Sequence, residues 1–273
     1  MAHVTNPEAE ALLDQEIRVL DQGFVRLVDY MGGDERIVAS ARVSYGKGTK
    51  TVREDRALIE YLVRHRHTSP LEQVVLTFHV KLPIFVARQW IRHRTARLNE
   101  ISGRYSVMKD EFYLPAAETL RTQGTVNKQG RSEESVSPES AAEIVASLED
   151  GQAEAYTRYQ AMLSKDLARE VARIALPLSL YTEWYWQMDL HNLLHFLKLR
   201  LDAHAQWEIR QYAQVIARIV RAVAPMAWGA FEKYELSQVA LSRESLAWLK
   251  GKLDDDPELP LELREHFGEK KTS

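Results

Sequence analysis

Val74-Val75-Leu76-Thr77-Phe78-His79-Val80-Lys81-Leu82-Pro83-Ile84 is where the reading begins. Val74, Leu76, Phe78, Val80 and Leu82 alternate with Val75, Thr77, His79 and Lys81, and side chains of an extended chain point to opposite faces in turn. The spacing therefore predicts a strand over Val74–Leu82 with one face in the core. Pro83, with φ fixed and no N–H to donate, suits the first turn of a helix running from Ile84 to about His93. Upstream, Phe24 to Tyr30 alternates loosely enough for a second strand, followed by the turn residues Met31-Gly32-Gly33-Asp34.

Outward from that pair the pattern becomes helical. Glu35–Val43 reads as a short helix, and Thr51–His65 as a longer one with Leu58, Leu62 and Val63 at helical spacing before the basic turn Arg64-His65-Arg66-His67. Gly46-Lys47-Gly48-Thr49-Lys50 is a loop without the Gly-Lys-Ser/Thr closure of a phosphate-binding loop, and it receives no phosphate role. Thr119–Glu139, poor in large apolar residues, is expected to be a surface loop or lid. Ala141–Leu163 and Lys165–Leu176 read as two helices, and Leu190–Val223 as one long helix stopped by Pro225. These helices are too amphipathic to stand alone, so a single domain over 1–273 is expected, with its core at about 20–235 and a charged, frayed tail over Asp254–Ser273. Trp184, Tyr185, Trp186, Trp207 and Tyr212 form an aromatic band better suited to packing than to stacking on a ligand.

The 273 residues carry 36 Lys and Arg against 39 Asp and Glu, with 45% hydrophobic residues and no Cys. A near-neutral balance excludes a polybasic nucleic-acid coat or membrane anchor, so any anion site must be local. The absence of Cys removes disulfides, thiolate metal sites and a thiolate nucleophile. No apolar run approaches a membrane span or signal peptide, and the predicted location is the cytoplasm.

The chemistry concentrates in Arg92-His93-Arg94-Thr95-Ala96-Arg97-Leu98-Asn99-Glu100-Ile101-Ser102-Gly103-Arg104-Tyr105-Ser106. Guanidinium forks match phosphate oxygens, and a Ser-Gly backbone can approach an anion closely, so the segment reads as a nucleotide site. Ser102 lacks an evident base, which argues against a nucleophilic role. A nucleic-acid clamp built on the same arginines remains an alternative. So does a metal hydrolase on His191, His195 and His204, although His191-Asn192-Leu193-Leu194-His195 has Asn where a His-Glu-x-x-His site needs Glu.

Arg-His-Arg, seven residues and then Ser, with Asn99, Glu100, Arg104, Tyr105 and Ser106 beyond it, resembles the signature of the flavin-dependent thymidylate synthases. The resemblance extends over Leu27–Gly32, Ala41–Ser44, His67–Glu72, Pro83–Trp90, Arg169–Thr182 and Phe196–Tyr212, and departs at Arg97, where many members carry Ser. It implies an α+β fold, an antiparallel sheet flanked by long helices in a homotetramer with shared sites, rather than a Rossmann fold; the lack of a Gly-x-Gly-x-x-Gly after a strand agrees. It implies methylation of dUMP to dTMP with methylenetetrahydrofolate as carbon donor and NADPH as reductant through bound FAD, chemistry that needs no Cys.

For individual positions the resemblance implies FAD contacts at Ser44, His67, Ser69, Arg92, His93, Arg94, Glu100, Asp189, Leu190, His191 and His195, with no metal. Some members carry Asn at the positions of Asp189 and His195. The dUMP contacts implied are Gln89, Trp90, Ile91, Arg92, Glu100, Ile101, Ser102, Gly103, Arg104, Arg173 and Arg200. Arg200 matches the activating arginine that favours uracil ionised at N3, a role consistent with a permanent cation in a low-dielectric pocket. Glu170, three residues before Arg173, is expected to pair with it or orient it.

Overall fold

A computed structural model describes residues 5–44, 52–125 and 130–253. Gly46–Lys50 and Asp254–Ser273 lie outside the described residues. Five strands form one antiparallel sheet in the order β1 (Glu16–Val19), β2 (Gly23–Met31), β3 (Val75–Pro83), β7 (Tyr181–Asp189) and β4 (Arg97–Glu100). A separate hairpin joins β5 (Arg121–Gln123) to β6 (Arg131–Ser135). The helices are α1 (Pro7–Glu10), α2 (Asp34–Ala41), α3 (Val52–Arg64), α4 (Ile84–Trp90), α5 (Pro138–Leu163), α6 (Arg169–Ala172), α7 (Leu190–Arg200), α8 (Trp207–Val223), α9 (Pro225–Phe231) and α10 (Arg243–Leu253). The chain divides into two compact units, Met1–Glu235 and Leu236–Ser273, with α10 in the second.

The alternation in β3 does what the spacing predicts: Val74, Leu76, Phe78, Val80 and Leu82 are all fully buried. Its neighbour β7 carries the same alternation in aromatic form. Trp184, Trp186 and Met188 point into the core while Tyr185 stays exposed, and the register sets Phe78 opposite Trp186 and Val80 opposite Trp184. Trp90 of α4 closes the cluster, with ring centroids 5.1 Å from Trp186 and 4.9 Å from Phe196. Large aromatics bury 150–250 Å² each, so every member contributes about 4–6 kcal/mol of transfer free energy before entropy is counted. Against this layer α8 lays the face Ile209, Tyr212, Ile216, Ile219 and Val223. The Tyr212 hydroxyl donates to the Lys81 carbonyl at 2.8 Å and reaches it past Gly23, where a Cβ would meet the phenol oxygen at 2.1 Å.

Three expectations need correction. Lys165–Leu176 is not one helix. Asp166 takes a left-handed φ of 59° and Leu167 bonds back to the Met162 carbonyl, which ends α5 and leaves only α6 and a 3-10 turn over Arg173–Ala175. Leu190–Val223 breaks into α7 and α8 because the Asp202 carboxylate captures the His204 backbone N–H at 2.8 Å, a local bond that competes with the helix. Thr119–Glu139 is not a structureless loop, since the β5–β6 hairpin and the start of α5 lie within it; residues 126–129 are outside the described set.

Asp34 begins α2 rather than ending a turn. Its buried carboxylate accepts from the Met226 and Ala227 N–H groups at 2.7 and 3.0 Å, capping the start of α9. Burial raises its pKa to about 6 against the lowering effect of those two bonds.

Candidate active site

The helix α4 stops where its sequence turns basic. Ile91 closes its last turn on Ala87, and the Arg92 and His93 N–H groups bond to Gln89 and Trp90 three residues back, so the chain swings off the helix axis at the Arg-His-Arg triplet. That swing places the triplet against α7. Between them lies a cleft of about 270 Å³ lined by Arg92, His93, Arg94, Asn192, His195 and Arg200, among others. Among the described residues, neither Arg92 nor Arg94 has an ion-pair partner. Uncompensated guanidiniums facing one hollow form a site for an anion.

Arg200 reaches into this cleft half-buried. Its Nε–H donates to His93 Nε2 at 3.1 Å and its Nη2–H to the Gln89 carbonyl at 3.4 Å. Desolvation, followed by the charges of Arg200 and His195, pushes the His93 pKa down to about 4. His93 is therefore neutral at pH 7, and accepting at Nε2 puts its proton on Nδ1. Burial lowers the Arg200 pKa from its ordinary value. An arginine so lowered is still a cation at neutral pH.

Across α7 a second hollow of about 320 Å³ shares His195 and Leu199 with the cleft. Its walls include the apolar Leu62, Leu71 and Leu194 and the imidazoles of His67 and His191. The His191–His195 spacing of one helical turn thus sets both rings in the wall of the apolar chamber, with His195 also facing the cationic cleft.

The other half of the signature lies at the far end of β4. Ile101 N–H bonds to the Glu183 carbonyl at 2.9 Å, after which the chain leaves the sheet as a tight turn with Tyr105 and Ser106 N–H groups on the Ser102 carbonyl. Gly103 packs beneath this turn, where a Cβ would lie 2.9 Å from Met108 Sδ and 3.2 Å from Arg173 Cδ. Arg104 Nε pairs with Glu170 at 3.0 Å, both about half exposed, and Arg169 donates to the Tyr105 carbonyl at 2.9 Å. Glu100 accepts from the Thr182 hydroxyl at 2.6 Å. Ser102, Gly103, Arg104 and Arg173 are therefore brought together, as are Arg92, His93, Arg94, His195 and Arg200. The two groups flank a strand that spans roughly 10 Å.

Several predicted residues sit otherwise than expected. Glu170 pairs with Arg104, not Arg173, because the short α6 turns it toward the 101–106 loop. Trp90 and Leu190 are fully buried in the core, so their side chains support the walls rather than line the cleft. Asp189 spends its carboxylate as the N-cap of α7, on Asn192 N and Nδ2 at 3.0 and 2.8 Å. Ser69 and Ile91 are exposed, and the side chain of Ser44 lies outside the described residues. His204 bonds to Asp202, and among the described residues no group of three His, Cys, Asp or Glu is arranged to hold a metal. Met188 and Asn192 line the cleft without having been anticipated; each follows from β7 running into α7, a junction hidden once β7 is missed.

A family model described as Thymidylate synthase complementing protein matches residues 26–226. A flavin-dependent thymidylate synthase of Treponema denticola is 60% identical over 259 residues, spanning 94% of this chain and 97% of that protein. A counterpart from Thermus thermophilus is 62% identical over 237 residues, spanning 87% and 86%. Among solved structures, a UMP/dUMP methylase, PolB, from Streptomyces cacaoi bound with 5-Br dUMP superposes with a TM-score of 0.73 at 33% identity, covering 81% of this chain and 99% of that one.

Proposed function

The chain belongs to the flavin-dependent thymidylate synthase family, and we propose that it converts dUMP to dTMP using methylenetetrahydrofolate as carbon donor, NADPH as reductant and FAD as bound cofactor. The observation that carries this reading is the pairing of half-buried Arg200 with neutral His93 in a cleft whose other guanidiniums have no carboxylate partner among the described residues. An apolar chamber edged by imidazoles, sharing His195 and Leu199 with a cationic cleft, fits a molecule in which flat ring systems are joined through a pyrophosphate.

In this reading Arg92, His93, Arg94, Glu100, His67, Ser69, His191 and His195 hold FAD, with Ser44, Asp189 and Leu190 at its margins. FAD, when bound, supplies the carrier for electrons taken from NADPH. The chain's own contribution is placement and charge. Gln89, Ile91, Ile101, Ser102, Gly103, Arg104 and Arg173 hold dUMP, the Ser-Gly backbone and the arginines at its phosphate, with the buried Trp90 backing them from the core. Arg200 faces the uracil. Arg200 donates to a neutral imidazole and a main-chain carbonyl rather than to a carboxylate, so its charge is not spent on an ion pair, and a partly desolvated cation stabilises negative charge developing at N3.

The 101–106 loop and the Arg92–Arg94 cleft stand apart by the length of β4, and we further propose a homotetramer in which one subunit's loop completes another's cleft. No helix of the described residues is long and apolar enough to cross a membrane, and we place the reaction in the cytoplasm, in one catalytic domain.

The test is the visible spectrum of the FAD-reconstituted protein, followed anaerobically after NADPH is added with and without dUMP. Bleaching of a bound flavin, faster with dUMP, followed by dTMP formation once folate is supplied, is the expected result. A protein that takes up no FAD sinks the proposal.

A further inference from the structure

Glu208 lies on the buried face of α8, in register with Tyr212, Val215 and Ile219, and is 2% exposed. A carboxylate in that position has to be paired, and it is. Arg131 of the β5–β6 hairpin bonds to its Oε1, as does the Tyr113 hydroxyl at 3.3 Å, while Gln206 Nε2 donates to Oε2 at 2.9 Å. Burial, followed by the Glu208 charge and hydrogen bond, pushes the Tyr113 phenol well above its ordinary value, so this group stays a donor. Arg131 is also tied to the 3-10 turn just ahead of β5 through the Thr119 carbonyl at 3.1 Å.

The polarity of these bonds propagates. An ion-paired carboxylate only accepts, so Gln206 must turn its amide nitrogen toward Glu208 and its Oε1 away. Gln89 Nε2 donates to that Oε1. Gln89 is thereby left with its own Oε1 uncommitted, beside the main-chain carbonyl that receives Arg200. Without Glu208 nothing in the relay prevents both amides from flipping together, since two glutamines pair equally well either way round.

We infer that Glu208 is a positioning residue for nucleotide binding: through Gln206 it fixes the amide of Gln89 so that this side chain presents its oxygen, an acceptor, to a donor group of the nucleotide. The inference rests on the proposed placement of dUMP against Gln89. It gives the β5–β6 hairpin a purpose beyond covering the surface, because Arg131 supplies the countercharge that keeps Glu208 an acceptor.

Calorimetric dUMP titration of the FAD-loaded protein tests it. Gln89→Ala alone should weaken dUMP binding by about three- to tenfold, the equivalent of one neutral hydrogen bond; unchanged affinity removes Gln89 from the site and breaks the underlying placement, not only the relay. Glu208→Gln should weaken dUMP binding by a similar factor, acting on KM more than on kcat. The same Glu208→Gln change made in the Gln89→Ala background should then have no further effect on dUMP affinity. An equal loss in both backgrounds, or no loss in either, overturns the inference while leaving Gln89 in place. Should Glu208→Gln not fold, Gln206→Leu cuts the relay with the Arg131 and Tyr113 bonds intact, and the same cycle with Gln89→Ala decides the question.

Discussion

Two clusters of arginine on one chain are built on opposite terms. In the α4–α7 cleft, Arg200 is half-buried and leans on an imidazole that burial keeps neutral, while Arg92 and Arg94 have no ion-pair partner among the described residues. On the 101–106 loop, Arg104 is exposed and held by Glu170, with Arg173 packed under Gly103. The first cluster is preorganised around Arg200: its guanidinium is partly withdrawn from water, and neither it nor the exposed Arg92 and Arg94 is neutralised by a carboxylate among the described residues, so an anion meets uncompensated charge. The second keeps its charge solvated and provisionally paired, as suits a surface that meets its ligand or another subunit from outside.

On that contrast, substitutions in the cleft act on turnover and those on the loop act on affinity. The largest effect is expected from Arg200→Ala, with kcat down by roughly 10²–10³ and a smaller change in dUMP affinity, as for loss of a preorganised charge-stabilising donor. Equal losses in both would make it a binding residue like Arg104. Next comes Arg104→Ala, which should weaken dUMP binding by roughly ten- to a hundredfold, the worth of a charge-assisted hydrogen bond, with thermal stability nearly unchanged. Unchanged affinity would take the loop out of the dUMP site. Gly103→Ala forces a methyl against Met108 and Arg173 and should cost about 1–3 kcal/mol of stability, read as a lowered urea midpoint, together with some dUMP affinity.

A smaller effect tests the neutrality of His93. Its folded pKa of about 4 lies below the ordinary 6.5, so between those values the unfolded chain binds a proton that the folded one refuses. Stability therefore falls as pH drops from 6.5 toward 4. Asp34 acts oppositely over part of that window: raised to about 6, it binds a proton in the fold that the unfolded chain releases. The His93 contribution is isolated by comparing urea midpoints with His93→Gln, which should flatten the slope; parallel curves would mean that His93 is protonated normally. Smallest of all, Glu170→Gln breaks an ion pair about half exposed on both sides and should change stability by less than about 1 kcal/mol. A large loss of stability would show the loop to be locked in place as firmly as the cleft.

How far these features were legible depends on the kind of interaction. Period-two burial is local, and β3 was readable in full. The neighbouring β7 obeys the same rule through Thr182, Trp184, Trp186 and Met188, yet its density of aromatics suggested a packing band and hid the strand. The break between α7 and α8 turns on one side-chain bond at Asp202, too small a signal against 34 residues of helical pattern. The antiparallel sheet among flanking helices came from the family resemblance, not from the periodicity. For the candidate site, the Arg92–Ser106 segment was conspicuous by composition. The Glu208–Gln206–Gln89 relay was not, because its Gln89–Gln206 contact joins positions 117 residues apart. A carboxylate at helical spacing with Tyr212, Val215 and Ile219 was the one available clue.

The Asp34 cap has a consequence for the order in which this chain assembles. It joins positions 192 and 193 residues apart, so the bond closes only after nearly the whole sheet and α8 have come together. Contacts of such range enter late on a folding pathway and are slow to form. A nascent chain halted before Pro225 would hold a carboxylate with nothing to cap, so the fold checks its own completion at the start of the helix whose last residue, Phe231, lines the second hollow.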